Sequence, residues 1–304
     1  MSYLALQYPV FTLHNRLLLP AGVKLTPETM ETLIPIGCGS QVQTYNILKY
    51  STIKNDLFNF INRIPQYRII FACRKRTDIL IKLMDSVHLP TPVLFSLEYF
   101  KRYDFYTYRH ILMVFALSTL LAQELIKDRQ LLVQQIIAGP THDFGKICVP
   151  LSILKKATPL TSAEMKMLKH HTVAGHVLLS YYYQDTNNFA AKVARDHHER
   201  ADGSGYPAGT CLKDPMVEII IASDIYDALI SPRPYRSRAY DNRTALEELT
   251  DLAYKGELSM DVVKALIAHN RKDRPHYSKC VLSKEKRGTP PSANLHGVIS
   301  DKNS

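Results

Sequence analysis

Twelve histidines stand in this chain of 304 residues, and the informative ones come in groups. His142-Asp143 follows an apolar stretch and is itself followed by Gly145-Lys146. His170-His171 comes next, then His197-His198-Glu199, then Asp224 and Asp227, while His110 stands upstream at the head of the longest apolar run. Imidazole and carboxylate donors suit first-row divalent metals such as iron, manganese, nickel or zinc. A carboxylate between two sets of imidazoles can bridge two ions about 3.5–4 Å apart, which clamps both oxygens of an in-line phosphoryl displacement. A lone histidine on an apolar helix is most often a satisfied core or surface residue. Three doublets and a glycine-framed lysine weigh more, because ionisable groups facing an apolar core cost several kcal/mol unless paired or metal-bound. Adjacent His-Asp and His-His pairs do not share a face of a regular helix. They ligate together only at a helix end or a kink, which Gly145 and the glycines downstream permit.

The runs THDFGKICVP (Thr141 to Pro150) and HHERADGSGYP (His197 to Pro207) resemble the HD-GYP family of metal-dependent phosphodiesterases, within the HD-domain superfamily. The family pattern reads HD-x-GK, H-x-x-x-G, HHE-x-x-DG-x-GYP, D-x-x-DAL and RPY-K/R. The chain supplies each in order: His142-Asp143 with Lys146, His171 with Gly175, the HHE-to-GYP run, Asp224 to Leu229, and Arg233-Pro234-Tyr235-Arg236. The resemblance covers about residues 100 to 255. It implies that His110, His142, Asp143 and Asp224 hold one metal and that Asp143 bridges to a second, held by His171, His197 and His198. His170 is off the pattern and reads as surface, and His176 as a partly exposed helix face. Some family members carry a Glu four residues before the first histidine for a third metal. Tyr106 stands there, so two divalent ions are expected, iron first and manganese or nickel as alternatives.

Lys146, one turn from His142, can neutralise a non-bridging phosphate oxygen. Arg233 and Arg236 are three apart and can fork onto a second phosphate or a guanine edge. Tyr206 offers a ring to stack on a base and a phenol to hydrogen-bond. Asp227 is expected to be catalytic, as a proton carrier or as a support for the ligands. The resemblance implies hydrolysis of the 3′,5′-phosphodiester of cyclic di-GMP to linear pGpG, and further to GMP in some members, by attack of a metal-held hydroxide. The alternatives are a catalytically weak cyclic dinucleotide sensor or scaffold, and a phosphodiesterase preferring cyclic GMP-AMP. A generic HD-domain phosphohydrolase would not carry HHE-to-GYP or RPYR. A diguanylate cyclase docking on the GYP loop and a homodimer are the protein partners the resemblance allows, with no DNA, RNA or membrane expected.

Such ligands need helices to hold them. Apolar residues recur at three and four spacing over 111–126, 131–138, 163–180, 189–197, 216–230 and 244–254, and Pro150, Pro159, Pro207, Pro232 and Pro234 fall between those stretches. The expected fold is therefore mainly α, an all-helical HD-GYP domain over 99–277. Before it, 1–98 reads as a regulatory or docking region that opens with a small α+β module. Tyr8 to Leu13 and Arg16 to Leu19 look like strands, and Thr26-Pro27-Glu28 opens a helix. RKRTDILIKLM reads as an amphipathic helix broken after by Pro90 and Pro92, in a stretch (60–98) that is otherwise hard to place. From 278 to 304 the chain reads as a basic, irregular tail.

Composition narrows the class. Hydrophobic residues make up 46% and charged residues 22%, a globular balance that excludes dominant disorder and rod-like folds. Thirty-eight Lys and Arg against 28 Asp and Glu give a formal charge of +10, which favours anionic partners such as nucleotide phosphates. The 5 cysteines (38, 73, 148, 211 and 280) form no CxxC pair, against a disulfide scaffold or a Cys-based zinc site. MSYLALQYPVF lacks a basic segment before an apolar core. The apolar run from Ile111 to Ala122 falls short of the roughly 20 residues needed to span a bilayer. A cytoplasmic protein is expected.

Overall fold

The computed structural model describes residues 3–34, 43–233, 236, 238–292 and 298–300. Val10–Phe11 (β1) and Leu17–Leu19 (β2) form an antiparallel hairpin, whose turn includes Asn15 at φ +56°, a conformation Asn tolerates better than most residues. Thr26 caps Pro27–Glu31 (α1), its hydroxyl accepting from Thr29 N at 3.2 Å. Thr44–Asn46 (β3) pairs antiparallel with His88–Pro90 (β4). Between those strands lie Ile53–Arg63 (α2), Pro65–Ile70 (α3) and Arg74–Met84 (α4). Pro90 and Pro92 do more than break the chain: Pro90 stands at the N-cap and Pro92 in the first turn of Thr91–Tyr103 (α5), where a missing N–H costs nothing.

Helices carry the chain from there: Phe105–Leu125 (α6), Arg129–Gln135 (α7), Ala138–Thr141 (α8), Leu151–Leu154 (α9), Ser162–Lys169 (α10), His171–Tyr183 (α11), Phe189–Asp196 (α12), Pro215–Ile230 (α13), Asn242–Tyr254 (α14) and Met260–Asn270 (α15). The stretch expected as one helix over 163–180 is two, broken at His170. Thr161 and Glu164 close a capping box at the start of α10. Every residue from His110 to Ala122 is buried, because α6 is apolar all round and α13, α8, α5, α4, α2 and α15 pack about it. Among the described residues α6 is the one helix long and apolar enough to cross a membrane, and 83% of its apolar window lies inside the fold.

The boundary expected at 98/99 falls inside α5. One hydrophobic core runs from Leu6 to Leu266, because α2, α4 and α5 bury their apolar faces directly on α6. The segment after Ser278 is irregular, as expected, but its described part is docked. Arg287 N and Gly288 N donate to Glu247 at 3.1 and 2.8 Å, and Lys286 pairs with Glu248 and Asp251 at 3.3 Å each. Its basic side chains meet the acidic face of α14 there.

Candidate metal centre

Five parts of the fold build the site around one carboxylate. His142 and Asp143 leave the end of α8, and the 3₁₀ turn Phe144–Cys148 follows them. His110 comes from the first turns of α6, His171 from the start of α11, His197 and His198 from the end of α12, and Asp224 from the middle of α13. Asp143 is 1% exposed, and its two oxygens face opposite ways. Oδ2 lies 3.6 Å from His110 Nε2 and 3.5 Å from His142 Nε2. Oδ1 lies 3.5 Å from His171 Nε2 and 3.6 Å from His197 Nε2. Asp224 Oδ1 joins the first set at 2.9 Å from His110 Nε2, and His198 joins the second.

Helix ends orient three of the rings. His142 Nδ1 donates to Gly139 O at 2.8 Å, His171 Nδ1 to Leu168 O at 2.6 Å and His197 Nδ1 to Ala194 O at 2.9 Å. Each acceptor is three residues earlier, among the last carbonyls of a helix, which lack intrahelical partners. A carbonyl only accepts, so Nδ1 carries the proton and Nε2 presents a lone pair to Asp143. His110 is held differently, by Asp227 Oδ2 at 2.7 Å. Asp227 also accepts from Arg109 at 3.0 Å and from Tyr67 at 2.8 Å.

The two carboxylates and two of the rings have the protonation states of a metal site. Burial opposes the charge on Asp143, yet Lys146 and His142 hold its carboxyl well below the usual range. Burial likewise opposes ionisation of Asp224, and the His110 hydrogen bond overcomes it. Burial pushes His171 down to about 3 and His198 well below its ordinary value. Anionic carboxylates beside neutral imidazoles such as these two are what divalent cations require, whereas at His110 burial opposes protonation and the hydrogen bonds to Asp224 and Asp227 overcome it, holding the ring above its ordinary value. His142 Nε2 and Asp143 Oδ1 are buried and without a hydrogen-bond partner, each costing about 1–3 kcal/mol if left so. Donors bound at about 2.1 Å to a shared ion stand roughly 3–3.5 Å apart, close to the separations here. The residues fit a metal on each side of Asp143.

Glycines fix the spacing between the two sets. A β-carbon on Gly145 would collide with His171 O and lie 2.5 Å from Gly175 N, so the 3₁₀ turn rests on the backbone of α11. Gly145→Ala is expected to lower the melting temperature and the bound metal together, by at least the 1–3 kcal/mol of ordinary overpacking. Thermal unfolding and elemental analysis of the same preparation check it, and a stable Gly145→Ala protein with full metal content contradicts the spacing argument.

The residues expected to face a phosphate divide. Lys146 Nζ pairs with Asp143 Oδ2 at the rim of the centre. Tyr206 stacks on His198, ring centroids 4.7 Å apart and 17° between planes, with the Lys169 ammonium 4.6 Å from its ring. The Arg233 guanidinium lies 4.4 Å from the Tyr106 ring, which in turn stacks on His110 at 5.9 Å. An aromatic ring thus stands where a third metal would need a carboxylate. The Arg233 and Arg236 backbones pair, each N–H donating to the other's carbonyl, but the Arg236 side chain turns away: it is 3% exposed, and its guanidinium donates to the carbonyls of Ala228, Leu229 and Ser231, which the end of α13 leaves without intrahelical partners. Pro234 and Tyr235 lie outside the described residues.

His170 and His176 differ from expectation in burial. His170 is 5% exposed and meets Tyr8 edge-on, and His176 is 7% exposed with Nδ1 at 3.2 Å from Ala191 O. Burial pushes both down to about 4, and neither joins a ligand set. Sequence reasoning missed Tyr67 and Arg109, and gave Glu199 no role. Glu199 is fully buried and accepts from the amides of Ala208, Gly209 and Thr210 at 2.7, 3.2 and 3.1 Å, pinning the loop that carries Tyr206. The signal was an acid followed by a glycine-rich turn, whose free amides need an acceptor.

The sequence model of the HD domain family matches residues 96–258, which include all seven candidate ligands. Over 136 residues the chain is 38% identical to a cyclic di-GMP phosphodiesterase of Thermotoga maritima, covering 44% of this chain and 37% of that one. Over 195 residues it is 31% identical to a cyclic di-GMP phosphodiesterase of Pseudomonas aeruginosa, covering 63% and 46%. A 3′3′-cGAMP-specific phosphodiesterase of Vibrio cholerae is 32% identical over 133 residues, covering 43% and 30%. The chain spans less than half the length of each of these relatives.

Proposed function

The chain belongs to the HD domain family, and from that premise we propose that it hydrolyses a 3′,5′-cyclic dinucleotide, cyclic di-GMP before cyclic GMP-AMP, with linear pGpG as first product. The observation that carries the proposal is the division of Asp143, one oxygen toward His110 and His142 and the other toward His171 and His197. His110, His142, Asp143 and Asp224 would hold one divalent ion and Asp143, His171, His197 and His198 another, iron first, with manganese or nickel as alternatives. Two such ions, when bound, activate water and neutralise phosphate charge. Within this reading, residues 99–277 carry the chemistry.

Lys146, poised beside Asp143, neutralises a non-bridging oxygen of the scissile phosphate as charge builds there. Tyr206, with His198 stacked on its ring and the Lys169 ammonium 4.6 Å from the ring centroid, offers its phenol to the substrate and its ring to a base that takes the place of Lys169. Arg233, braced on Tyr106, reaches the second phosphate. Asp227 acts through His110, since its carboxylate is fully buried and shared among His110, Arg109 and Tyr67. Cyclic di-GMP is placed first because the relatives named for it are 38% identical and, at lower identity, cover up to 63% of the chain.

The test is anaerobic purification with iron or manganese, then metal analysis and chromatography of cyclic di-GMP and cyclic GMP-AMP incubations. About two ions per chain and accumulation of pGpG are expected. A metal-loaded protein that binds cyclic di-GMP and consumes neither dinucleotide overturns the enzymatic reading in favour of a sensor.

A further inference from the structure

We propose that Tyr67, on α3 of the N-terminal region, is a positioning residue of the metal centre, its hydroxyl fixing the Asp227 carboxylate that in turn fixes the His110 ring. The inference rests on the reading of His110 as a metal ligand. Tyr67 and Asp227 are both 0% exposed and 160 residues apart in sequence, with Tyr67 Oη 2.8 Å from Asp227 Oδ1. A carboxylate only accepts, so the phenol donates. On the other oxygen, Oδ2 takes His110 Nδ1 at 2.7 Å and Arg109 Nη2 at 3.0 Å. Oδ1 has one further contact, Ser231 Oγ at 3.5 Å, at the edge of hydrogen-bond reach. Tyr67 is therefore the strong bond that stops the carboxylate rotating about its Cβ–Cγ axis. Rotation would lengthen the bond to His110, the ligand whose Nδ1 is held by a side chain where those of His142, His171 and His197 are held by main-chain carbonyls.

The phenol reaches the centre from outside the family match. α3 covers Pro65–Ile70, whereas the HD domain match begins at residue 96. The Tyr67 ring is packed edge-on to Tyr226 at 6.2 Å and beside Phe71 at 6.1 Å. The end of α3 is tied to the segment after α15, Arg274 donating to Ile69 O at 2.5 Å. A shift of α3 by about 1 Å takes a 2.8 Å hydrogen bond out of range. The N-terminal region thereby acts on the affinity of the centre for its ion, and a ligand or partner that moves α3 sets that affinity.

The experiment compares wild type, Tyr67→Phe and Tyr226→Phe, each stripped by chelator and titrated with manganese(II), reading free ion by its electron spin resonance signal. Phe keeps the ring packing, and the melting curve of each stripped protein reports the fold. Tyr226 is the matched control: it is buried and packs on the same Tyr67 ring, but its hydroxyl donates to Asn242 at 2.7 Å and makes no hydrogen bond to Asp227. Tyr67→Phe is expected to weaken binding about 3- to 10-fold, at the lower end of what partners of metal-bound histidines contribute, with Tyr226→Phe unchanged. Unchanged affinity in Tyr67→Phe overturns the inference, as does equal weakening in both variants in step with lost stability. A wild type that takes up no manganese, iron or nickel sinks the metal-centre reading itself.

Discussion

Asp143→Ala is expected to reduce bound metal from about two ions per chain to well under one, and turnover by about 10³-fold or more. The size of the effect follows from geometry. Asp143 is the one group with an oxygen in each ligand set, 3.5–3.6 Å from four imidazole nitrogens. Without it the second set is made of imidazoles only (His171, His197 and His198), with no anionic donor, and nothing ties the two ions to one spacing. The same substitution leaves the Lys146 ammonium, whose side chain is 13% exposed, without its anion, an added repulsion for any cation. Asp143→Asn separates charge from shape: it keeps the volume and is expected to lose metal almost as completely. Wild-type metal content and turnover in Asp143→Ala would end the proposal.

Lys146→Met is expected to do the opposite with metal. The ligands stay, so the two ions stay, while turnover falls by about 10²- to 10³-fold, the loss of one preorganised group that meets developing charge. Methionine matches the length of the lysine stem, so packing around the 3₁₀ turn is kept. The pair of variants forms a discriminating set. Metal lost with Asp143 and kept with Lys146 assigns the first to the ions and the second to the substrate. If Lys146→Met sheds its metal, the lysine serves Asp143 and has no direct part on the phosphate.

The candidate ligand positions are legible because each doublet sits at a helix end, and helix ends leave a local trace. His142, His171 and His197 each bond a carbonyl three residues earlier, so the short motif contains both the ligand and its orienting group. Arg236 misled for the converse reason. Its spacing from Arg233 was local, but its partners are the closing carbonyls of α13, and a helix end can hold an arginine as readily as a phosphate can. His170 reads as surface because it is off the motif, and His176 as a partly exposed face, yet the fold covers both, Tyr8 meeting His170 and the Ala191 carbonyl of α12 meeting His176. Tyr67 and Arg109 left no trace, since their meaning depends on a residue more than a hundred positions away. The same limit explains 60–98: α3, α4 and α5 are short or capped without a strong motif, and their place is set by α6. The order of functional groups is written locally, whereas their supports are assembled by the core.

The rest of Gly145 on α11 sets how this protein can drift. Where two ligand-bearing elements are separated by side chains, a lineage can change one residue, survive the misfit and repair it with a second. Main chain against main chain offers no such intermediate, because the atoms that collide are the His171 carbonyl and the Gly175 amide, which every amino acid but proline carries alike. Relief has to come from the path of the backbone itself, so the constraint at Gly145 falls on how the two elements run and not on any partner side chain.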